Sequence, residues 1–572
     1  MRKTLLLIGA VVFASCCFGE MVQHRGIWLH PEQFKTRELA DEWIGRVAAA
    51  RLNAIYPLVW CKGGTGWYRS DLCPMGEGVP EGFDPLGYLI EAAHARHIDV
   101  HAWFVNGHYG EAKPGFVFSR HPDWELQGGG RGADSTWYDL GKPEVRDFER
   151  DVMLGCLKDY NLDGIHFDYI RYSGQVVCRC GHCQNEFSEK YGFAPRPKGE
   201  DTFPVLLAVG SNPLGKPTTA KVLATFDSGV PAITINQMGR GEAVLINWGA
   251  AMATCPAVDG FVRQMLARFG AGAKNTYQLN TTETAAKYRP EVQRAAHDWL
   301  AGMGSGTKII DETSLQKIPA DGTVVLVGQY LMGEETARWL EGFVGGGGHC
   351  LFIDGPVFAI KHDSLKRVVG LQQQARYFHG STVIQPAPDQ DVIKPGPPLD
   401  VEKERQRMAK WVEYRTWTVT ELVRSVYRGA KKIKPGAQVS AAVFYKKASA
   451  DGVCQDWYGW LREGCIDYVL PMAYTEDNEE LAKAFAEWKA ADPKMDRIIP
   501  GFSIYSRAGK GAVTRDIKLV DSQMAMGASN GARGNLFFCL RYLNDDLIGF
   551  LAGGRFAGAA KPYYPAKTAY DN

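Results

Sequence analysis

The sequence predicts an α/β chain: a (β/α)8 TIM barrel interrupted after its fourth strand by a second α/β domain of flavodoxin-like character. Apolar strand-like runs alternate with helix-like runs in two separate blocks, and together these blocks hold eight strands. No Gly-rich dinucleotide fingerprint follows the first strand, which argues against an open doubly wound sheet. The 572 residues also exceed the roughly 250 to 300 that one core normally holds.

In the first block, a strand is expected over Arg25 to His30, a helix over Arg37 to Arg51 and a strand over Asn53 to Trp60. The helix Pro85 to His97, the strand Asp99 to Val105, the helix Pro143 to Tyr160 and the strand Gly164 to Tyr169 follow. The last block begins with a long helix over Glu404 to Lys434. Four strands come after it: Gln438 to Phe444, Asp467 to Tyr474, Arg497 to Tyr505 and Asn535 to Leu540. Between and after these lie the helices Asp456 to Glu463, Glu479 to Lys489, Val513 to Met526 and Asp545 to Ala552.

The intervening stretch has its own rhythm. Val222 to Phe226, Ala232 to Asn236 and Ala243 to Asn247 read as strands, with a hairpin around Gln237 to Glu242. Helices near 257 to 269 and 288 to 302 precede a βαβ pattern: strands Lys308 to Ile310 and Thr323 to Gly328, helix Glu334 to Phe343, strand Cys350 to Asp354. This resembles the non-catalytic amidotransferase-like domains attached to many glycosidases, although the hairpin here precedes the α/β portion. Cys350 lies inside a strand sequence and reads as core. The expected organisation is a signal peptide over 1–19, barrel residues 20–199, the insertion 200–375, a Pro-rich linker 376–400 and barrel residues 401–572.

Arg2 and Lys3, the apolar run Leu5 to Phe13 and the small residues up to Gly19 follow the order of a secretory signal. Export to the periplasm, the outer membrane or the medium is therefore expected, with Cys16 a candidate lipid anchor. No later segment reaches the roughly 18 apolar residues of a membrane span. With 65 Lys and Arg against 64 Asp and Glu, no global field exists to hold a polyanion, which argues against nucleic acid as a partner. Cys178, Cys180 and Cys183 lie close enough to share a soft metal, but only His182 is local as a fourth ligand. One disulfide with a spare thiol is the competing reading, so no metal or other cofactor is assigned.

In such a barrel, active groups sit at the C-terminal strand ends. The fourth strand runs Asp163-Gly164-Ile165-His166-Phe167-Asp168-Tyr169-Ile170-Arg171-Tyr172, so Asp168 is a carboxylate ending an apolar strand. Its burial would need compensation by Arg171, a hydrogen bond or protonation. Trp28 and His30, Trp60, Trp103 and Asn106, His166, Tyr474 and Tyr505 fall near the same face. Rings gathered at a barrel mouth can bury the apolar face of a sugar while polar tips fix it. Glycoside hydrolysis normally needs a second carboxyl group. Asp456, Glu476 and Asp477 are the candidates; Asp456 also reads as a helix N-cap, and Glu476 and Asp477 as a solvated loop or cap. Asp139, before the helix at Pro143, reads as a turn organiser.

The runs Arg25-Gly26-Ile27-Trp28, His101-Ala102-Trp103-Phe104, Gly141 to Arg146, Asp163 to Tyr172 and Asp456 to Tyr474 resemble the bacterial glycosyl-hydrolase-like family ten, formerly domain of unknown function 187. The resemblance implies a TIM-barrel glycosidase of the cell envelope or of polysaccharide breakdown, with members associated with cleaving peptidoglycan glycan strands. Many relatives carry two adjacent aspartates on the fourth strand, where this chain has Asp168 and Tyr169. The leading expectation is an exported glycoside hydrolase with paired carboxylates. The alternative is a non-catalytic carbohydrate-binding or scaffold protein on the same fold, and a third reading is a metal-dependent polysaccharide deacetylase or hydrolase using the cysteine cluster and nearby histidines.

Overall fold

The computed structural model describes residues 22–565, except 62, 109–115, 127–136, 175–177, 179, 196–201, 212–213, 249–254, 271–274, 286–289, 305, 330, 354–361, 374–377 and 509–510. The expected signal peptide and Cys16 lie outside the described residues.

Eight parallel strands close on themselves: β1 (His24–Leu29), β2 (Ala54–Cys61), β3 (Asp99–Val105), β4 (Gly164–Asp168), β5 (Gln438–Val443), β6 (Tyr468–Ala473), β7 (Gly501–Ser503) and β8 (Gly534–Phe538). The ring shuts because β1 pairs with β2 on one side and with β8 on the other, with Ile27 opposite Phe537. Around it stand α1 (Arg37–Ala49), α2 (Pro85–His94), α3 (Pro143–Asp159), α4 (Val401–Ile433), α5 (Trp457–Glu463), α6 (Asn478–Ala491), α7 (Ile517–Ser529) and α8 (Asp545–Phe550). The helix starts follow local chemistry. Thr36, Asp84, Asp400, Asp456, Asp477, Asp516 and Asn544 each accept a backbone N–H as N-cap. One helix start differs from expectation: Val513 lies in a strand, Gly511–Thr514, that forms a hairpin with Tyr505–Ala508.

The barrel interior carries rings where aliphatic layers are usual. Trp28 Nε1 donates to His166 Nε2 over 3.1 Å, so His166 carries its proton on Nδ1 and donates to Ser440 Oγ at 3.0 Å. Tyr56 and Tyr468 share a hydroxyl hydrogen bond, and Tyr564 from the C-terminal segment bonds both His101 and Asp99. The N-terminal end of the barrel is thus plugged by the chain's own tail.

The insertion leaves from β4 and returns through α4, so it belongs to a loop on the C-terminal face. Its nine-stranded sheet has a parallel half, in the order Lys308–Ile310, Thr276–Leu279, Thr323–Val327, His349–Ile353 and Gly241–Ile246. That is the flavodoxin order 2-1-3-4-5, with its last position filled by the strand that comes first in the chain. This permutation accounts for the hairpin preceding the α/β portion. An antiparallel half extends the sheet through Pro231–Met238, Lys221–Phe226, Phe378–Pro386 and Val205–Ser211. A Cβ on Gly241 would stand 2.0 Å from the Gly348 carbonyl and one on Gly348 would stand 2.4 Å from the Phe343 ring, so each position takes glycine for its own reason. Cys350 is fully buried in its strand.

The expected boundary at 375 falls inside this sheet. Phe378–Pro386 is one of its strands, Ile393 is buried in the insertion's core, and Gly396 N–H bonds the Phe203 carbonyl. The Pro-rich tract is therefore tied to the insertion at its first strand, at Ile393 and at Gly396, while most of its prolines stay exposed.

Candidate active site

Asp168 closes β4 at the C-terminal mouth and is almost buried. Its Oδ1 accepts the Tyr169 N–H at 2.7 Å and its Oδ2 accepts Trp103 Nε1–H at 3.1 Å. Burial pushes its carboxyl up to about 6, against the opposing pull of the Tyr169 N–H, the Arg171 charge and the Trp103 donor. The backbone turns sharply here, with Tyr169 at φ +52°. The neighbouring Gly107, at φ +62°, makes room, since a Cβ there would stand 2.8 Å from the Tyr169 carbonyl. This turn sends the Tyr169 ring against His108, with centroids 4.9 Å apart.

Rings surround the carboxyl. Trp103 packs at 5.4 Å from His30, and Tyr474 stacks on Phe538 at 5.2 Å. Asp168 acts electrostatically on Tyr474, which is held well above the usual phenol range mainly by burial. Arg171 lies over three rings, those of Trp137, Tyr169 and Phe444, at 4.7 to 4.9 Å. Burial pulls its guanidinium below its usual value, while Asp168 and Tyr169 oppose that shift.

An open cleft of about 320 Å³ adjoins this cluster, bordered by His30, Glu32, Trp67, Tyr505, Phe538 and Tyr542. Tyr505 and Tyr542 stack at 4.9 Å on one wall. Asp168 lies behind the wall, linked to the cleft through Trp103 and His30. Sequence reading passed over Glu32 and Phe538. The signal was present for Glu32, three residues beyond the end of β1, in the short turn Pro31–Gln33.

Four expected contact residues do not face the mouth. Trp60 is buried against Phe148 of α3, on the outer side of the barrel. Asn106 is buried and donates to Glu149 Oε2 at 2.7 Å; burial lifts that carboxyl to about 7. His166 is enclosed in the interior layer, where burial lowers it to about 3 and keeps it neutral. Trp28 is buried too, as a floor beneath Trp103, Tyr474 and Phe538. Strand alternation explains the first pair: neighbouring residues on a strand point to opposite faces, and these face the helices.

The candidates for a second carboxyl separate as clearly. Asp456 caps α5, accepting the Gly459 N–H at 2.9 Å. Asp477 caps α6 through the Glu479 and Glu480 N–H groups. Both carboxylates are engaged as helix caps. Glu476 is exposed at the end of β6, 3.7 Å from the buried Arg515 guanidinium, which also donates to the Tyr474 and Thr475 carbonyls. Cys178, Cys180 and Cys183 are buried together around Asp139, away from these rings.

The Glycosyl hydrolase-like 10 family model matches residues 23–201 and 373–509, which hold β1 to β7 together with the flanks of the insertion. Among relatives, Glycosyl hydrolase DigH of Escherichia coli K12 is 30% identical over 152 residues, covering 23% of this chain and 33% of the relative. Glycosyl hydrolase YngK of Bacillus subtilis is 29% identical over 123 residues, covering 20% and 23%. The chain spans a third or less of the length of these relatives. The PgaB (BpsB) glycoside hydrolase domain of Bordetella bronchiseptica aligns with a TM-score of 0.43 and 9% identity, covering 93% of this chain and 98% of that one. With its barrel closed and its family pattern on both sides of the insertion, the chain belongs to the glycosyl hydrolase-like 10 family.

Proposed function

We propose that the protein is an exported glycoside hydrolase that cleaves a polysaccharide or envelope glycan, with peptidoglycan glycan strands as its first candidate substrate. The observation that carries this reading is Asp168, a carboxyl raised to about 6 by burial in a ring-walled barrel mouth. Such a group keeps its proton up to about pH 6, well above an ordinary carboxyl, and can give it to a leaving glycosidic oxygen. Glu476, 3.7 Å from the Arg515 guanidinium, is the proposed partner carboxylate. β4 and β6 are second neighbours, so at about 4.8 Å per strand step their ends stand about 10 Å apart. Side chains reaching inward from such ends can approach the roughly 5 to 9.5 Å at which paired carboxyls act on a glycosidic bond. His30, Trp103, Tyr474 and Tyr505 supply ring surface for the sugar, and Arg171 holds the loop that carries Asp168. A neutral glycan also fits a chain with a net charge of +1.

The test is release of reducing ends from purified peptidoglycan strands and a panel of neutral polysaccharides, comparing the wild-type protein with Asp168→Asn. Product from the wild type alone supports the reading. Saturable glycan binding with no product from either protein would favour a binding scaffold. Fractionation of cells expressing the full chain, with and without residues 1–19, tests export.

A further inference from the structure

We propose that Asp139, Cys178, Cys180 and Cys183 form a tetrahedral zinc site that clips the β4 loop to the barrel. The sequence offers three clustered thiols with only His182 local as a fourth ligand, and His182 lies instead against the Gly141 carbonyl and Glu186. The fold supplies the fourth ligand from 39 residues upstream of Cys178, where Asp139 turns into the cluster. All four residues are buried, and their ligand atoms lie within 4.8 Å of one another. Asp139 Oδ2 stands 3.2, 3.1 and 3.4 Å from the sulfurs of Cys178, Cys180 and Cys183. Zinc–sulfur bonds of about 2.3 Å arranged tetrahedrally place neighbouring ligand atoms about 3.5 to 3.8 Å apart, so a small outward movement admits the ion.

Two further features fit thiolate ligands. The Cys180 N–H points at Cys178 Sγ at 3.5 Å, and the Cys183 N–H at Cys180 Sγ at 3.3 Å. Backbone donors aimed at sulfur favour its deprotonated form. Charge is the second feature. Binding Zn²⁺ would release three thiol protons and leave one carboxylate and three thiolates around the ion, a net charge of −2. Arg415 and Lys142, both buried, lie close enough to act electrostatically on Asp139. They provide the compensation that a buried anion requires.

The site has a structural position. Asp139 belongs to the turn before α3, while Cys180 caps the helix Gly181–Tyr191. Tyr172, which follows Asp168 by four residues, packs under Arg415 at 3.4 Å and bonds Thr418 of α4. Closing all four ligands around zinc leaves no open position for a substrate, which marks the ion as a clip.

Full-length protein, purified without chelator, would be analysed for metal by mass spectrometry and then stripped and reloaded with Co²⁺. The proposal expects about one zinc per chain and, on reloading, the intense visible bands of tetrahedral cobalt with sulfur-to-cobalt charge transfer. Stripping should lower the melting temperature by about 5 °C or more. Asp139→Ala and Cys180→Ser should lose the metal, whereas Asp139→Cys should retain it. That rescue separates ligation from a merely structural carboxylate. A protein that takes up neither zinc nor cobalt, or whose intact mass shows a disulfide between two of the three cysteines, would overturn the assignment.

Discussion

Two buried aspartates stand on neighbouring parts of the same loop system and teach opposite lessons. Burial lifts Asp139 and Asp168 alike to about 6. Asp139 is surrounded by three sulfurs and the Gly141 N–H, so its oxygens are fully engaged and no reactant could reach them. Asp168 has one donor on each oxygen, Tyr169 N–H and Trp103 Nε1–H, which leaves lone pairs at a mouth lined by rings. The same titration shift therefore accompanies a carboxyl closed in by sulfurs in one case and the proposed proton donor in the other. The partners decide, and the desolvation alone does not.

The comparison breaks first at Asp168. Asp168→Asn is expected to lower kcat/KM by about 10² to 10⁴-fold, the range for a lost proton donor, with the circular dichroism spectrum unchanged. Full activity in that variant would make Asp168 as structural as Asp139. Glu476→Gln should cost a comparable factor if it is the partner carboxylate. As a mere surface ion pair with Arg515 it would change stability by less than about 1 kcal/mol and leave the rate alone.

The pH dependence sharpens the difference more finely. A proton donor must be protonated, so kcat/KM should fall as pH rises through about 6, the value to which burial lifts Asp168. Trp103→Phe removes a hydrogen bond that favours the carboxylate, so the descending limb should move to higher pH in a pH–rate profile. A limb that stays in place would mean that the Trp103 bond does not tune this group. The smallest effect is expected at Asp456. Loss of its cap in Asp456→Ala should cost about 1 kcal/mol in denaturant unfolding, without altering the rate per folded molecule.

Much of this fold is legible in the chain. Each barrel strand is an apolar run bounded by turn residues, and β3 begins and ends at the expected Asp99 and Val105. Seven helix starts carry an Asp, Asn or Thr cap, a signal that depends only on local backbone geometry. Asp168 was visible for the same reason: a carboxylate that ends an apolar strand stands out locally. The misplaced contacts show where local reading ends. Trp60, Asn106 and His166 lie on or beside the right strands, but whether such a side chain enters the mouth, the barrel interior or the helix layer depends on strand facing and depth along the barrel. Glu32 was overlooked because it lies in a turn with no strand signal of its own.

By itself the sequence determined the strand count, the interruption after β4, a net charge of only +1, and one carboxylate that ends an apolar strand. These rest on periodicity, capping and composition, which act over a few residues or over the whole chain at once. Only the tertiary structure decided that Phe378–Pro386 and Ile393 join the insertion, that Glu476 meets Arg515, and that Asp139 meets three cysteines about forty residues away. Those are contacts between distant parts of the chain, and closure of the barrel sets them. No window of sequence contains both partners.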